Sequence, residues 1–396
     1  MFESFGSTVH SELGALMLYT MYQSSPNFSK AIAVRSDLDT LIVPLLRTLY
    51  FSSSLKHYSA NVNAAAKAEN GSGNALSPWN CPFRSPSQLY VILILLLLFS
   101  QDASFAPDAF RRVFVPSVPW YKERHLKNVT LGSLLMLNLL RSITFNLNRL
   151  QDAFLLSNCC AVLMNLSPSV SHLHDYAALR LASVTISSLK KYSIMVEQNG
   201  GKEDDGEDMT SVLGMYGEVS RTLVGLLRHC LSPKNIEKNL QLVYALVYHQ
   251  SDFKAVIAKD NLKQQKAELK RIQLVMVTAE KIISSHASAR TAAKALGVLE
   301  ENMDKLTEAV KGEKNLEADF TFSYEEEADP EIFFVPYIWD VIVCCVTSSS
   351  LEWDVGRIGV FPLLDEEEEE ENLGDSQEDF GHTEMTSFTS DANDIV

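Results

Sequence analysis

Several groups of residues in this chain have types and spacings that invite chemistry. His172-x-His174 beside Asp175 is a potential pair of metal ligands. On a helix, residues two apart point about 200° away from each other, so both imidazoles would not reach one ion. An exposed or helix-capping role is the better reading. The adjacent thiols Cys159–Cys160 and Cys344–Cys345 would suit redox exchange, but both pairs sit in apolar runs, where cysteine packs as a small hydrophobe. Tyr244 and Tyr248 stand four residues apart, a spacing that predicts core packing rather than a stacking platform. No GxSxG, P-loop, HExxH or GxGxxG pattern is present. The residues give no catalytic constellation, no metal set and no cofactor motif.

The remaining candidate is aromatic. Phe333, Phe334, Tyr337 and Trp339 bring a large ring area into seven residues of "DPEIFFVPYIWDVIVCCV". If exposed, they form an interaction patch; if buried, they cap the end of a helical stack. Ile338, Val341, Ile342 and Cys345 continue one apolar face beyond the rings, which favours the cap. Asp329-Pro330 stops whatever precedes, and Pro336 suits the first turn of a new helix.

The elements that position these residues read as helices throughout. From Leu89 to Phe99 every residue is apolar, a run of 11. Spanning a bilayer takes roughly 20 such residues, so the run predicts a core helix over 87–100, with Ser87 as cap and Asp102 marking its end. Helical spacing also marks 8–23, a short element at 28–35, and 36–51, the last with Ser36 or Asp37 as cap and Pro44 as an internal kink. Residues 107–119 read as a proline-rich bend. Three successive helices follow between 131 and 198, then helices from 209 to 231, from 239 to 250 and from about 260 to 285. "DFTFSYEEE" at 319–327 is the one stretch that could be a strand.

Helices of this length joined by short turns predict an all-α fold, an armadillo/HEAT-like α-solenoid of stacked helix pairs. A closed helical bundle is the alternative. The expected organisation is a helical body over 1–364, with a surface loop at about 56–86 and a polar loop at about 199–208. An acidic, disordered tail is expected over 365–396.

The formal net charge of −16 belongs to that tail. It holds 13 acidic residues and no Lys or Arg, leaving 34 basic against 37 acidic residues in the body, a charge of −3. A nearly neutral body gives no nucleic-acid footprint. Six cysteines without a CxxC or paired framework, and a start lacking a basic and apolar leader, read as cytosolic. The N-x-S/T sequons at Asn27, Asn70, Asn128 and Asn165 are then chance matches.

Six stretches, in order, resemble the dymeclin family: "LIVPLLRTLYFSSS", "SPSQLYVILILLLLFSQD", "WYKERHLKNVTLGSLL", "SNCCAVLMNLSPSVSHLHDYAALRL", "NLQLVYALVYHQSDF" and "FSYEEEADPEIFFVPYIWDVI". The resemblance implies a helical scaffold without catalytic activity, peripherally associated with Golgi membranes, shuttling with cytosol and supporting Golgi organisation and vesicle traffic. It implies protein partners at the Golgi, no transmembrane helix and no nucleic acid. Members are longer, and the resemblance is to their C-terminal part. Animal members carry a glycine after the initiator Met, where myristoylation would occur; Phe2 stands here. A cargo-binding adaptor for nuclear transport is the alternative use of such a solenoid, but Trp79, Trp120, Trp339 and Trp353 are too scattered to line its groove.

Overall fold

A computed structural model describes residues 2–53, 86–200, 211–259, 261–286, 291–311, 321–326 and 328–348. The expected surface loop before Pro86, most of the polar loop at 199–208 and the acidic tail lie outside the described residues.

The fold is all-α. Sixteen α-helices and one two-stranded antiparallel sheet are found among the described residues. In chain order the helices begin with α1 (Phe2–Thr8), α2 (Glu12–Ser24), α3 (Pro26–Ala33), α4 (Asp39–Ser52), α5 (Pro86–Gln101) and α6 (Phe105–Arg111). Strands β1 (Phe114–Val118) and β2 (Leu126–Thr130) come next, then α7 (Leu131–Phe145), α8 (Ala153–Leu166), α9 (Asp175–Gln198) and α10 (Val212–Cys230). The series closes with α11 (Leu240–Tyr248), α12 (Gln250–Ile257), α13 (Lys266–Ser284), α14 (Ala292–Glu301), α15 (Met303–Val310) and α16 (Glu331–Ser348).

Two compact units divide the chain, Met1–Tyr337 and Ile338–Val396. In the first, helices α1 to α15 pack mainly on helices one to three places along the chain, as in α5 on α8, α8 on α10, α9 on α10 and α11, and α11 on α13. Of the second unit only residues 338–348, the C-terminal turns of α16, are described.

The apolar run behaves as a core helix. Every residue from Val91 to Ser100 is buried, none more than 6% exposed. A helix apolar all round needs neighbours all round, and α5 has α2, α4, α6 and α8. No single helix among the described residues is long and apolar enough to cross a membrane; α5 and α6 together would suffice only with a 93° bend.

Local chemistry fixes the joints. Ser11, Thr130 and Ser211 cap α2, α7 and α10 by accepting from the third residue on. Between α7 and α8, the Asn146 amide donates to the Asp152 carbonyl at 2.7 Å and its oxygen accepts the Asp152 N–H at 2.9 Å. Asn239, fully buried, donates to the carbonyls of Val170 at 2.9 Å and Asn235 at 3.1 Å, tying the loop before α9 to the start of α11.

The structure corrects several sequence expectations. Helix α4 starts at Asp39 without a side-chain cap, because Asp37 is engaged by Arg35 at 2.6 Å. Helix α5 begins at Pro86 itself. Residues 107–119 contain the end of α6 and all of β1, whose hairpin with β2 runs in the register Val115↔Val129 and Val118↔Leu126. Residues 321–326 are not a strand. Helix α16 starts directly after Pro330 and carries Pro336 in its interior, not its first turn. Tyr248 is 72% exposed at the end of α11, its ring meeting His249 edge to face, while Tyr244 is half-buried.

Candidate functional site: a cleft closed by a returning segment

Residues 321–326 and the first turns of α16 lie late in the first unit, yet they pack on its early helices. Asn165, at the end of α8, holds residues 321–326 by their backbone. Its amide donates to the Phe322 carbonyl at 2.9 Å and its oxygen accepts the Phe322 N–H at 2.7 Å, the pairing a β-ladder would make. The same amide nitrogen donates to the Ser100 hydroxyl at 2.9 Å. Two residues on, Tyr324 meets Tyr19 of α2, with 3.2 Å between the hydroxyls. The Tyr19 hydroxyl also donates to Glu326 Oε1 at 2.8 Å. Burial, and then the bonds to Tyr324 and Glu326, push the Tyr19 phenol well above its ordinary range, so it stays a donor.

Helix α16 continues this closure with rings. Phe334 stacks on Tyr19 with centroids 5.2 Å apart, and Phe333 lies 6.2 Å from Tyr90 of α5. Tyr90 is itself aimed by its neighbours. Its hydroxyl donates to the carboxylate of Asp152, which also caps α8 by accepting the Leu155 N–H at 2.9 Å. Its ring meets Phe154 edge to face at 4.9 Å.

Between these elements opens a cleft of about 440 Å³. Ile94 and Leu97 of α5, Phe154 of α8, and Pro330, Phe333 and Phe334 give it an apolar lining, while Glu325 and Glu326 stand on its rim. Phe154 remains 42% exposed, so its ring is available to an incoming group. The arrangement offers apolar contact beside negative charge. It holds no nucleophile paired with a base.

The four aromatic residues of the sequence patch therefore divide. Phe333 and Phe334 are half-buried and line the cleft, and Tyr337 is buried. Trp339, in the second unit, is 54% exposed, and Ile338 and Ile342 are exposed with it. Phe333 and Phe334 meet rings of α5 and α2. Sequence reasoning missed Tyr19, Tyr90, Asn165 and Tyr324. Their partners lie far off in sequence, and nothing in local spacing marks them.

The other candidates take structural positions. His172 is exposed in a loop with a left-handed φ of 52°, not on a helix. His174 caps α9, its Nδ1 accepting the Tyr176 N–H at 3.2 Å. Among the described residues no group of three His, Cys, Asp or Glu could hold a metal ion. Cys159, Cys160 and Cys230 are buried free thiols; burial pushes the Cys160 thiol up to about 12 and the other two in the same direction. Thiols held this way are poor nucleophiles. The side chains of Cys344 and Cys345 lie outside the described residues. Asn165 spends its amide on Ser100 and Phe322, which leaves its sequon no free acceptor nitrogen.

The chain matches the family model described as "Dymeclin: Dyggve-Melchior-Clausen syndrome protein" over residues 1–341. It is 28% identical over 369 residues to dymeclin of Xenopus laevis, covering 89% of this chain and 48% of that protein. Dymeclin of Drosophila melanogaster is 26% identical over 377 residues, covering 88% and 47% respectively. Dymeclin of Dictyostelium discoideum is 25% identical over 440 residues, covering 92% and 43%. The chain thus spans about half the length of the curated relatives it matches. No solved structure matches it. A family model matched from the first residue through the tenth residue past Glu331, the start of α16, takes in the core helix, the hairpin and the returning segment alike, and on that match the chain belongs to the dymeclin family.

Proposed function

We propose that this chain is a non-enzymatic scaffold of stacked helices that works at the Golgi, supporting its organisation and vesicle traffic from its cytoplasmic side. The dymeclin membership supports the Golgi setting. The single observation that carries the scaffold reading is the cleft beneath the returning segment. An apolar lining with a carboxylate rim suits a partner segment that presents apolar side chains beside a Lys or Arg, and Phe154 and Phe333 would be its anchors. Recruitment through a protein partner in this way needs no helix across the bilayer. Imaging a tagged version of the full chain against a Golgi marker tests the setting. Overlap with the marker, alongside a diffuse cytoplasmic pool, is the expected result; an even distribution that ignores the marker would overturn it.

A further inference from the structure

The only sheet among the described residues carries a local excess of positive charge. From Arg111 to Asn128 the sequence holds five cations, Arg111, Arg112, Lys122, Arg124 and Lys127, and one carboxylate, Glu123. The body as a whole is almost balanced, so a local excess of four is a segregated patch. The lone carboxylate is already committed. Glu123 is ion-paired with Arg141 and accepts from the Tyr50 hydroxyl at 2.7 Å, while Arg141 lies over the Tyr50 ring at 4.4 Å. Asp108 is likewise held by Arg112 at 3.3 Å. Among the described residues Arg111, Lys122, Arg124 and Lys127 have no ion-pair partner.

The connection between the strands is pinned so that these cations face outward. Trp120 and Tyr121 are buried, with rings 5.3 and 5.2 Å from Tyr50, and the Lys122 N–H donates to the Tyr50 hydroxyl at 2.9 Å. Anchoring residues 120 and 121 inward leaves Lys122, Arg124 and His125 exposed. On the strands, Val115, Val118, Leu126 and Val129 face the core. The outward positions carry Ser117 opposite Lys127, and Phe114, a ring 54% exposed on the same hairpin. A half-exposed ring and unpaired cations on one hairpin have no packing purpose within the fold.

The geometry points to an anionic bilayer surface as the occupant of this hairpin. Point charges attract acidic headgroups and one ring enters the interface, with no demand for a shaped pocket. The interaction is local, because salt screens the acidic tail's charge over about 10 Å. The hairpin would hold a membrane directly, whereas the cleft would hold a protein partner, so each idea can fail without the other.

Flotation of the purified full chain with vesicles tests this. Vesicles of phosphatidylcholine alone are compared with vesicles containing phosphatidylserine, at low and high salt. Binding to the phosphatidylserine vesicles, lost at high salt, is the expected result. Removing three charges by Lys122→Gln, Arg124→Gln and Lys127→Gln should weaken it by about a hundredfold, roughly fivefold per charge. Phe114→Ser should weaken it several-fold with the melting temperature unchanged, which separates lost contact from lost folding. No vesicle binding, equal binding to neutral vesicles, or a triple variant that binds like the parent would each overturn the proposal. So would duplex nucleic acid bound in preference, with phosphatidylserine vesicles unable to compete.

Discussion

Tyr19 and Phe334, from opposite ends of the first unit, stack with ring centroids 5.2 Å apart and planes 20° from parallel. The contact joins α2 to α16, the last helix among the described residues, and with the Asn165–Phe322 pairing it closes one wall of the cleft. Half-buried ring stacking of this kind contributes both area and a specific geometry. Phe334→Ala should therefore lower stability by about 2 kcal/mol, less than a fully buried ring would cost. Trp339→Ala should change it by no more than about 0.5 kcal/mol, since that ring is largely in solvent. Chemical denaturation of the two variants checks the contrast, and equal costs would contradict it.

Leu95 is fully buried in the middle of α5. An aspartate there would be a buried charge without a partner, at a cost of about 3–5 kcal/mol. Leu95→Asp should leave the protein insoluble or unfolded, whereas the parent should be released from membranes by alkaline carbonate. Retention of the parent in the carbonate pellet would mean that α5 enters the bilayer.

Gly6 marks a close helix crossing. A Cβ at that position would lie 2.3 Å from the Thr40 carbonyl oxygen, a backbone atom that cannot swing aside. Gly6→Ala must push α1 and α4 apart and should cost about 1–3 kcal/mol. A melting temperature equal to the parent's would show that the crossing has slack.

His229, buried in the last turn of α10, has its pKa lowered by burial and then by Arg228. Its folded pKa is below its unfolded value of about 6.5, so the unfolded chain binds the extra proton first. Stability from this group is present above pH 6.5 and falls as the pH drops towards the folded pKa. The melting temperature should fall more steeply between neutral and mildly acidic pH in the parent than in His229→Gln. Parallel curves would remove His229 from the acid sensitivity.

What was legible in the sequence was the local part. The unbroken apolar run of α5, too short to span a bilayer, read as a buried helix, and the Ser-Pro after Leu166 ended α8 where the structure ends it. The hairpin escaped because each strand is five residues long and β1 is interrupted by Pro116, with Asn128 left-handed opposite it at a φ of 47°. Short strands without sustained alternation give no period to detect. The exposed or capping role read for His172 and His174 holds, with His172 exposed in a loop at a left-handed φ of 52° and His174 capping α9. The rings of Phe333 and Phe334 meet Tyr90 and Tyr19, and contacts this distant leave no trace in local spacing.

The cleft as a docking site can be tested at Phe154, whose ring lines it while remaining partly exposed. The measurement is the fraction of tagged full chain overlapping a Golgi marker, for the parent and for Phe154→Asp, at matched abundance and matched melting temperature. A folded variant that is diffuse while the parent overlaps the marker is the result expected here. A folded variant that overlaps the marker as fully as the parent would contradict docking through the cleft.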